Sequence, residues 1–252
     1  MVQYDGTDFF GWAEQKELRT VHRTLKEYIY RISGEEVELR GASRTDSGAH
    51  ALGQVADFAT EYGMPAEKWA QVINRWSAPE IRIADSRQVA MKFHSRFYAR
   101  SRIYEYRMSE LDAVEPTRSR YVHSAGCEMN LLKMQQASVA LIGRHDFRAF
   151  GADLVNVENA DREIYQVKLK RTGDEIRITI EGTAFLKGMM RRIAGGLFEV
   201  GRGKRKPSEI GELLDLNKRE DLVGPVVLPA SGLTLKKVKF GRHLRDLRDE
   251  DS

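Results

Sequence analysis

Gly41-Ala42-Ser43-Arg44-Thr45-Asp46-Ser47-Gly48-Ala49-His50-Ala51 is the densest stretch of the 252-residue chain. Small residues stand on both sides of Asp46, so another molecule can approach its carboxylate closely. Arg44 lies two residues before it and His50 four after it. Strand patterns flank the stretch. Before it, Val37 and Leu39 alternate with Glu36, Glu38 and Arg40. After it, Gln54-Val55-Ala56-Asp57-Phe58 reads as a second strand. Several chemistries can be set aside here. A serine-hydrolase elbow needs Gly-x-Ser-x-Gly, and Asp46-Ser47-Gly48 does not supply it. The phosphate-cradling Gly-x-x-x-x-Gly-Lys-Ser/Thr is absent. The six histidines show no His-x-x-x-His pair and there is one cysteine, Cys127, which argues against a zinc site. What remains is a carboxylate with an arginine nearby, a nucleophile or general base that needs no metal. The competing explanation is that Asp46 caps a turn and Arg44 has a structural partner.

Working outward, Val21, Leu25, Tyr28, Ile29 and Ile32 recur at helical spacing and predict a helix over 21–33 that stops at Gly34. Pro65 can open a helix with Trp69, Val72, Ile73 and Trp76 on its apolar face. Ile81–Ala84 and Gln88–Met91 read as short strands. Ser101–Met108 alternates, with Tyr104, Tyr106 and Met108 on one face. Asn130 can cap a helix that stops at Gly143. Ile164–Lys170 and Glu175–Glu181 form a hairpin through Arg171-Thr172-Gly173-Asp174. A helix over 184–200, a short one from Pro207 to Leu214 and a strand over 233–238 follow. From His243 the chain is charged and is expected to be loose. Strands and helices alternate in roughly the same order twice. This predicts an α+β protein of two halves with mostly antiparallel sheets: an N-terminal half, 1–93, carrying the Asp46 loop, and a C-terminal half, 94–252.

Hydrophobic residues make up 41% and charged residues 31%, a balance that excludes wholesale disorder. No run of about 18 apolar residues exists to span a bilayer. Met1-Val2-Gln3-Tyr4-Asp5 lacks a basic region followed by an apolar run, so no secretory signal is expected. A lone cysteine excludes a disulfide framework and points to a reducing, cytoplasmic setting. The net charge of +4 says little. Its distribution says more. Arg82, Arg87, Lys92, Arg96, Arg100, Arg102 and Arg107 are opposed only by Asp85 and Glu105. Lys187, Arg191, Arg192, Arg202, Lys204, Arg205 and Lys206 are opposed only by Glu199. The first stretch also holds Phe93, Phe97, Tyr98, Tyr104 and Tyr106. Cations interleaved with rings suit a polyanion with flat bases, and they equally suit solvated strand or helix faces.

The loop Arg44-Thr45-Asp46-Ser47-Gly48-Ala49-His50-Ala51, with Gln54-Val55-Ala56-x-Phe58 after it, resembles the signature of TruA-type tRNA pseudouridine synthases. The resemblance runs along nearly the whole chain in order. It takes in Tyr4-Asp5-Gly6-Thr7 with Phe10-Gly11-Trp12, then Phe93-His94-x-Arg96-Phe97-x-Ala99 and Arg102-x-Tyr104-x-Tyr106. Gly143-x-His145-Asp146-Phe147, Phe185-Leu186-x-x-Met189-Met190-Arg191 and Ala230-Ser231-Gly232-Leu233 complete it. Ser43 and Ala49 replace the family's usual Gly and Val, Ala13 replaces a Gln, and the strand before Tyr4 is short.

The resemblance implies a pseudouridine synthase fold: two α/β halves, helices flanking the sheets, around a basic active-site cleft. It implies isomerisation of uridine to pseudouridine in the anticodon stem-loop of tRNA, with no cofactor and no metal, by a homodimer. It makes Asp46 the nucleophile or base. A buried carboxylate needs a neighbouring cation to stay ionised, and Arg191 matches the family's candidate. Tyr104 matches the ring that stacks on the target base. Arg44, Leu233, His50 and Arg96 are expected on the substrate-binding side, with His50 ordering the loop. The alternatives are a non-catalytic RNA-binding or RNA-folding protein on the same scaffold, which retention of Asp46, Tyr104 and Arg191 together disfavours, and an unrelated hydrolase using Asp46 and His50.

Overall fold

A computed structural model describes residues 1–77, 79–154, 157–218 and 222–241. The charged ending expected from His243 lies outside the described residues. The chain forms two compact units. One is Met1–Arg102 together with the chain from Leu235 onward, and the other is Ile103–Thr234. From Leu235 on, the final strand, expected with the second half, therefore counts with the first.

In the first unit, β1 (Val2–Tyr4) lies between β5 (Ile81–Ile83) and β3 (His50–Gln54), antiparallel to both. The last strand, β11 (Leu233–Phe240), lies on the other side of β3. A separate ladder pairs β2 (Arg40–Gly41) with β4 (Ala56–Asp57). Helix α1 (Val21–Ser33) has the bounds its spacing predicts: Thr20 caps its start through Arg23 N–H, and Gly34 closes it. Val21, Leu25 and Ile29 are its buried stripe. Helix α2 (Lys68–Trp76) buries Trp69 and Ile73, but Trp76, its last residue, is 62% exposed. The strand expected over 36–40 is corrected. Val37 and Leu39 are buried as the alternation requires, yet only Arg40 and Gly41 find a ladder partner. The strand expected over 54–58 is divided between β3 and β4, and 88–91 forms no strand.

In the second unit the order is β6 (Ala99–Ser109, from Ile103 onward), β10 (Glu175–Gly182), β9 (Asp161–Thr172) and β8 (Gly143–Asp146). Strands β8–β9 and β9–β10 are antiparallel. The two-residue β7 (His123–Ser124) pairs parallel to β6. Ile176, Ile178 and Ile180 alternate inward along β10, completely buried. A short α3 (Pro116–Ser119) precedes α4 (Leu131–Ser138), which Asn130 caps through Lys133 N–H. Helix α5 (Met189–Gly201) begins later than the expected residue 184, because Gly188 takes a left-handed conformation (φ 70°) immediately before it. Helix α6 (Pro207–Glu212) follows. Among the described residues, no helix is long and apolar enough to cross a membrane.

Glu175 is the second unit's buried carboxylate, 3% exposed. Burial alone would raise its pKa. The Arg107 fork, with Nη2 at 2.8 Å, and Arg118, with Nη1 at 2.7 Å, outweighs that and holds it below the usual glutamate value. A depressed folded-state pKa contributes stability at neutral pH that is lost as the pH falls through it. Glu175→Gln should therefore destabilise the protein by about 2 kcal/mol at pH 7, since it removes the charge that the half-buried Arg107 and Arg118 bond to. Urea unfolding at pH 7 and at pH 4 tests this: the gap between wild type and variant should narrow at the lower pH. A constant gap would show that the ion pairs are not its source.

Candidate active site

In the first unit, three sets of bonds fix the loop around Asp46. At its start, the buried Gln54 side chain donates to Ser43 O (2.6 Å) and accepts from Ser43 N–H (3.2 Å), pairing with this backbone as a strand would. Arg102 Nη2 donates to Ala42 O at 2.9 Å. In the middle, Thr45 Oγ1 shares a 2.8 Å hydrogen bond with Tyr4 Oη, and Thr45 O accepts from Trp12 N–H at 3.2 Å. At its end, Gly48 N–H donates to Phe9 O (3.1 Å), and Gly6 N–H donates to His50 Nδ1 (3.0 Å).

Asp46 itself opens a tight turn. Ala49 N–H donates to Asp46 O at 3.1 Å, and Gly48, third in the turn, has φ 79°. A positive φ at that position is why glycine stands there. The carboxylate-bearing residue is half-buried, Arg44 before it is exposed, and Thr45 between them is buried. The Asp5-Gly6 turn packs directly behind: a Cβ on Gly6 would lie 1.9 Å from Ala49 O. His50, 3% exposed, has Nδ1 3.2 Å from Asp5 Oδ1 as well as bonded to Gly6. Both of these contacts are with this turn. Arg96 is exposed, with its Cζ 5.8 Å from the Phe97 ring centroid.

The second unit carries Tyr104, Arg191 and Leu233. Tyr104, on β6, is 4% exposed and stands edge-on to Phe185 with centroids 5.0 Å apart. Arg191 lies in the first turn of α5, and its Nε donates to Leu228 O at 2.6 Å. Arg192 follows it and donates to Pro225 O at 3.1 Å. That turn has no acidic residue, so both cations sit at the positive end of the helix dipole. The arrangement builds positive potential that a neighbouring anion would relieve. Tyr106, fully buried, donates to Pro229 O at 2.8 Å. Burial pushes its hydroxyl far above the usual phenol range, and the Arg191 charge opposes this only in part. Leu233 is buried at the head of β11.

Sequence reasoning gave no role to Gln54, Tyr4 or Arg102, all of which hold the loop. A signal existed for Gln54: a polar residue at an inward position of a strand must bond to something. A cavity of about 870 Å³ lies elsewhere in the first unit, lined by Leu25, Ile29, Trp69, Phe93 and Val238 among others. None of the expected site residues lines it. Among the described residues, no group of His, Cys, Asp and Glu is placed to hold a metal ion.

The tRNA pseudouridine synthase family model matches residues 1–98 and 137–241. The chain belongs to this family. Asp46 and Arg191 lie within the matched segments, and Tyr104 lies between them. Curated relatives agree. The chain is 36% identical to tRNA pseudouridine synthase A 2 of Clostridium tetani over 241 residues, covering 95% of this chain and 96% of that one. It is 36% identical to tRNA pseudouridine synthase A of Brevibacillus brevis over 240 residues, covering 95% and 98%. Among solved structures, a chain of a Cbf5-Nop10-Gar1 complex aligns at TM-score 0.36 and 11% identity over 94% of this chain and 57% of that one, too low to argue from.

If the Asp5-Gly6 turn holds the loop, Gly6→Ala must push the two apart. Hydrogen exchange at the Gly48 and Ala49 amides should then quicken at least about tenfold, while exchange in α1 is unchanged. Unaltered exchange at those amides would show that the loop does not depend on the turn.

Proposed function

We propose that the protein isomerises uridine to pseudouridine in the anticodon stem-loop of tRNA. The observation that carries this reading is an Arg-Thr-Asp loop, fixed on a tight turn of small residues, in a chain whose relatives are named tRNA pseudouridine synthase A. In the reaction the bond from ribose C1′ to uracil N1 breaks. The base turns, and a bond from C1′ to C5 replaces it, with the C5 proton passing to solvent and the freed N1 taking one up. Nothing is oxidised or hydrolysed, so no cofactor is required. Asp46 is the nucleophile or base, Tyr104 the ring that stacks on the target base, and Arg191 the cation that favours an ionised carboxylate. Arg44, Arg96, Leu233 and His50 serve the substrate side. A paired uridine must be extruded from its stem at a cost of a few kcal/mol, which stacking of about 1–3 kcal/mol per base offsets. A homodimer in the cytoplasm completes the proposal.

The retained Asp46, with a loop built to present it, favours this reading over a purely RNA-binding protein. tRNA labelled with tritium at uridine C5 separates the two. Wild type should release tritium and Asp46→Asn should lose at least about a thousandfold of that rate while still binding tRNA. Equal release by both, or none by either with tRNA still bound, would sink the enzyme reading. Primer extension after carbodiimide treatment should place the product in the anticodon stem-loop.

Electrostatic binding gives a second test. Arg205 pairs with Glu199 at 3.0 Å with both side chains largely buried, so it belongs to the fold. Arg202, Lys204 and Lys206 are exposed. Changing these three to Gln should lower the slope of log affinity for tRNA against log salt by about two, each phosphate contact contributing roughly 0.7–0.9. An unchanged slope would make this stretch a solvated face.

A further inference from the structure

Five aromatic residues lie among the cations of the first basic stretch, and the structure separates them. Phe93, Tyr104 and Tyr106 are buried, whereas Phe97 is 75% exposed and Tyr98 37%. A single exposed apolar side chain is ordinary. Phe97 is not ordinary, because the turn that displays it is built with buried polar groups. Ser95, fully buried, donates its N–H to Asp57 Oδ1 (2.8 Å) and its hydroxyl to Arg40 O (3.2 Å). Arg40 Nε in turn donates to Asp57 Oδ2 at 2.8 Å. Arg102 Nη2 donates to Arg96 O at 2.9 Å, and Tyr98 N–H to His94 O at 3.0 Å. On one side, Phe93 is anchored against Phe240, with centroids 5.4 Å apart. The turn is therefore fixed before anything binds, and a partner of Phe97 loses little ordering entropy to it.

The surroundings select the partner. The His94 ring lies 4.2 Å from the Phe97 ring, centroid to centroid, and Arg96 Cζ lies 5.8 Å from it. Lys92, Arg96 and Arg100 are exposed nearby, and no Asp or Glu occurs between Ser86 and Tyr104 in the chain. Flat rings beside exposed cations match a base and its phosphates. We propose that Phe97, flanked by His94 and Arg96, is a stacking platform for one unpaired nucleobase of the bound RNA. The inference rests on the tRNA reading and adds a contact outside the reacting uridine's own site.

Affinity for a tRNA transcript, measured by filter binding across salt concentrations, tests it for wild type, Phe97→Ala, Phe97→Leu and Phe97→Trp. Loss of a stacked base should weaken binding about tenfold or more in Phe97→Ala and Phe97→Leu, with an unchanged salt slope. Phe97→Trp should bind as well as wild type or better. Melting temperatures should coincide, because the ring is exposed. Wild-type affinity in Phe97→Ala overturns the proposal, and so does full rescue by Phe97→Leu, which would mean mere apolar contact. Altered self-association with unchanged RNA affinity also overturns it, in favour of a contact between copies. Tritium release by wild type is scored separately. Release with no effect of Phe97 leaves the enzyme reading intact and removes the platform, and weakened binding without release does the reverse.

Discussion

A buried guanidinium ties together two separate segments of the first unit's surface. Arg102 is 8% exposed and donates to Ala42 O, Arg96 O and Ala99 O, all within 2.9–3.1 Å. A guanidinium cannot shed its proton, so once buried its N–H groups must be bonded, and its planar fork leaves little latitude in where the acceptors lie. Ala42 precedes the Asp46 loop and Arg96 sits in the turn that displays Phe97. One side chain thus couples the position of both segments to β6. A lysine would place one ammonium where the fork places several donors.

The same physics explains which parts of the molecule could be read from sequence. Helix α1 was legible end to end, because apolar spacing and Gly34 agree, and Thr20 caps its start. The hairpin of β9 and β10 was legible because its turn and its alternation are local. Val37 and Leu39 misled: alternating burial does not require a ladder partner, and only the neighbouring backbone decides whether one exists. The start of α5 misled because Gly188, inside an otherwise helical pattern, takes a left-handed conformation. The return of the last strand to the first unit is a matter of which distant segments pack together, to which local periodicity is blind. At the site, Asp46 stood out through its motif. The bonds that hold it come from Tyr4, Gly6, Trp12, Gln54 and Arg102, scattered along a hundred residues, and no spacing rule joins them.

Charge was legible only as a total and a density. The structure shows that several cations counted in the basic stretches are committed to the fold. Arg102 holds carbonyls, Arg107 neutralises the buried Glu175, and Arg205 is paired with Glu199. Others, such as Arg96, Arg100, Arg202 and Lys204, are exposed. Aromatic residues divide in the same way: Phe93 and Tyr106 complete a core, whereas Phe97 and Tyr98 are exposed.

Arg191 shows how a position that looks unfavourable can be informative. A cation in the first turn of a helix opposes the dipole there, typically by about 0.3–1 kcal/mol. Arg192 beside it repeats the conflict, and no acidic residue in that turn relieves it. The fold nevertheless fixes Arg191 firmly through the 2.6 Å bond from Nε to Leu228 O. A residue selected for helix stability would be an acid at this point. A guanidinium held by this bond at the start of α5 adds its charge to the positive end of the helix dipole.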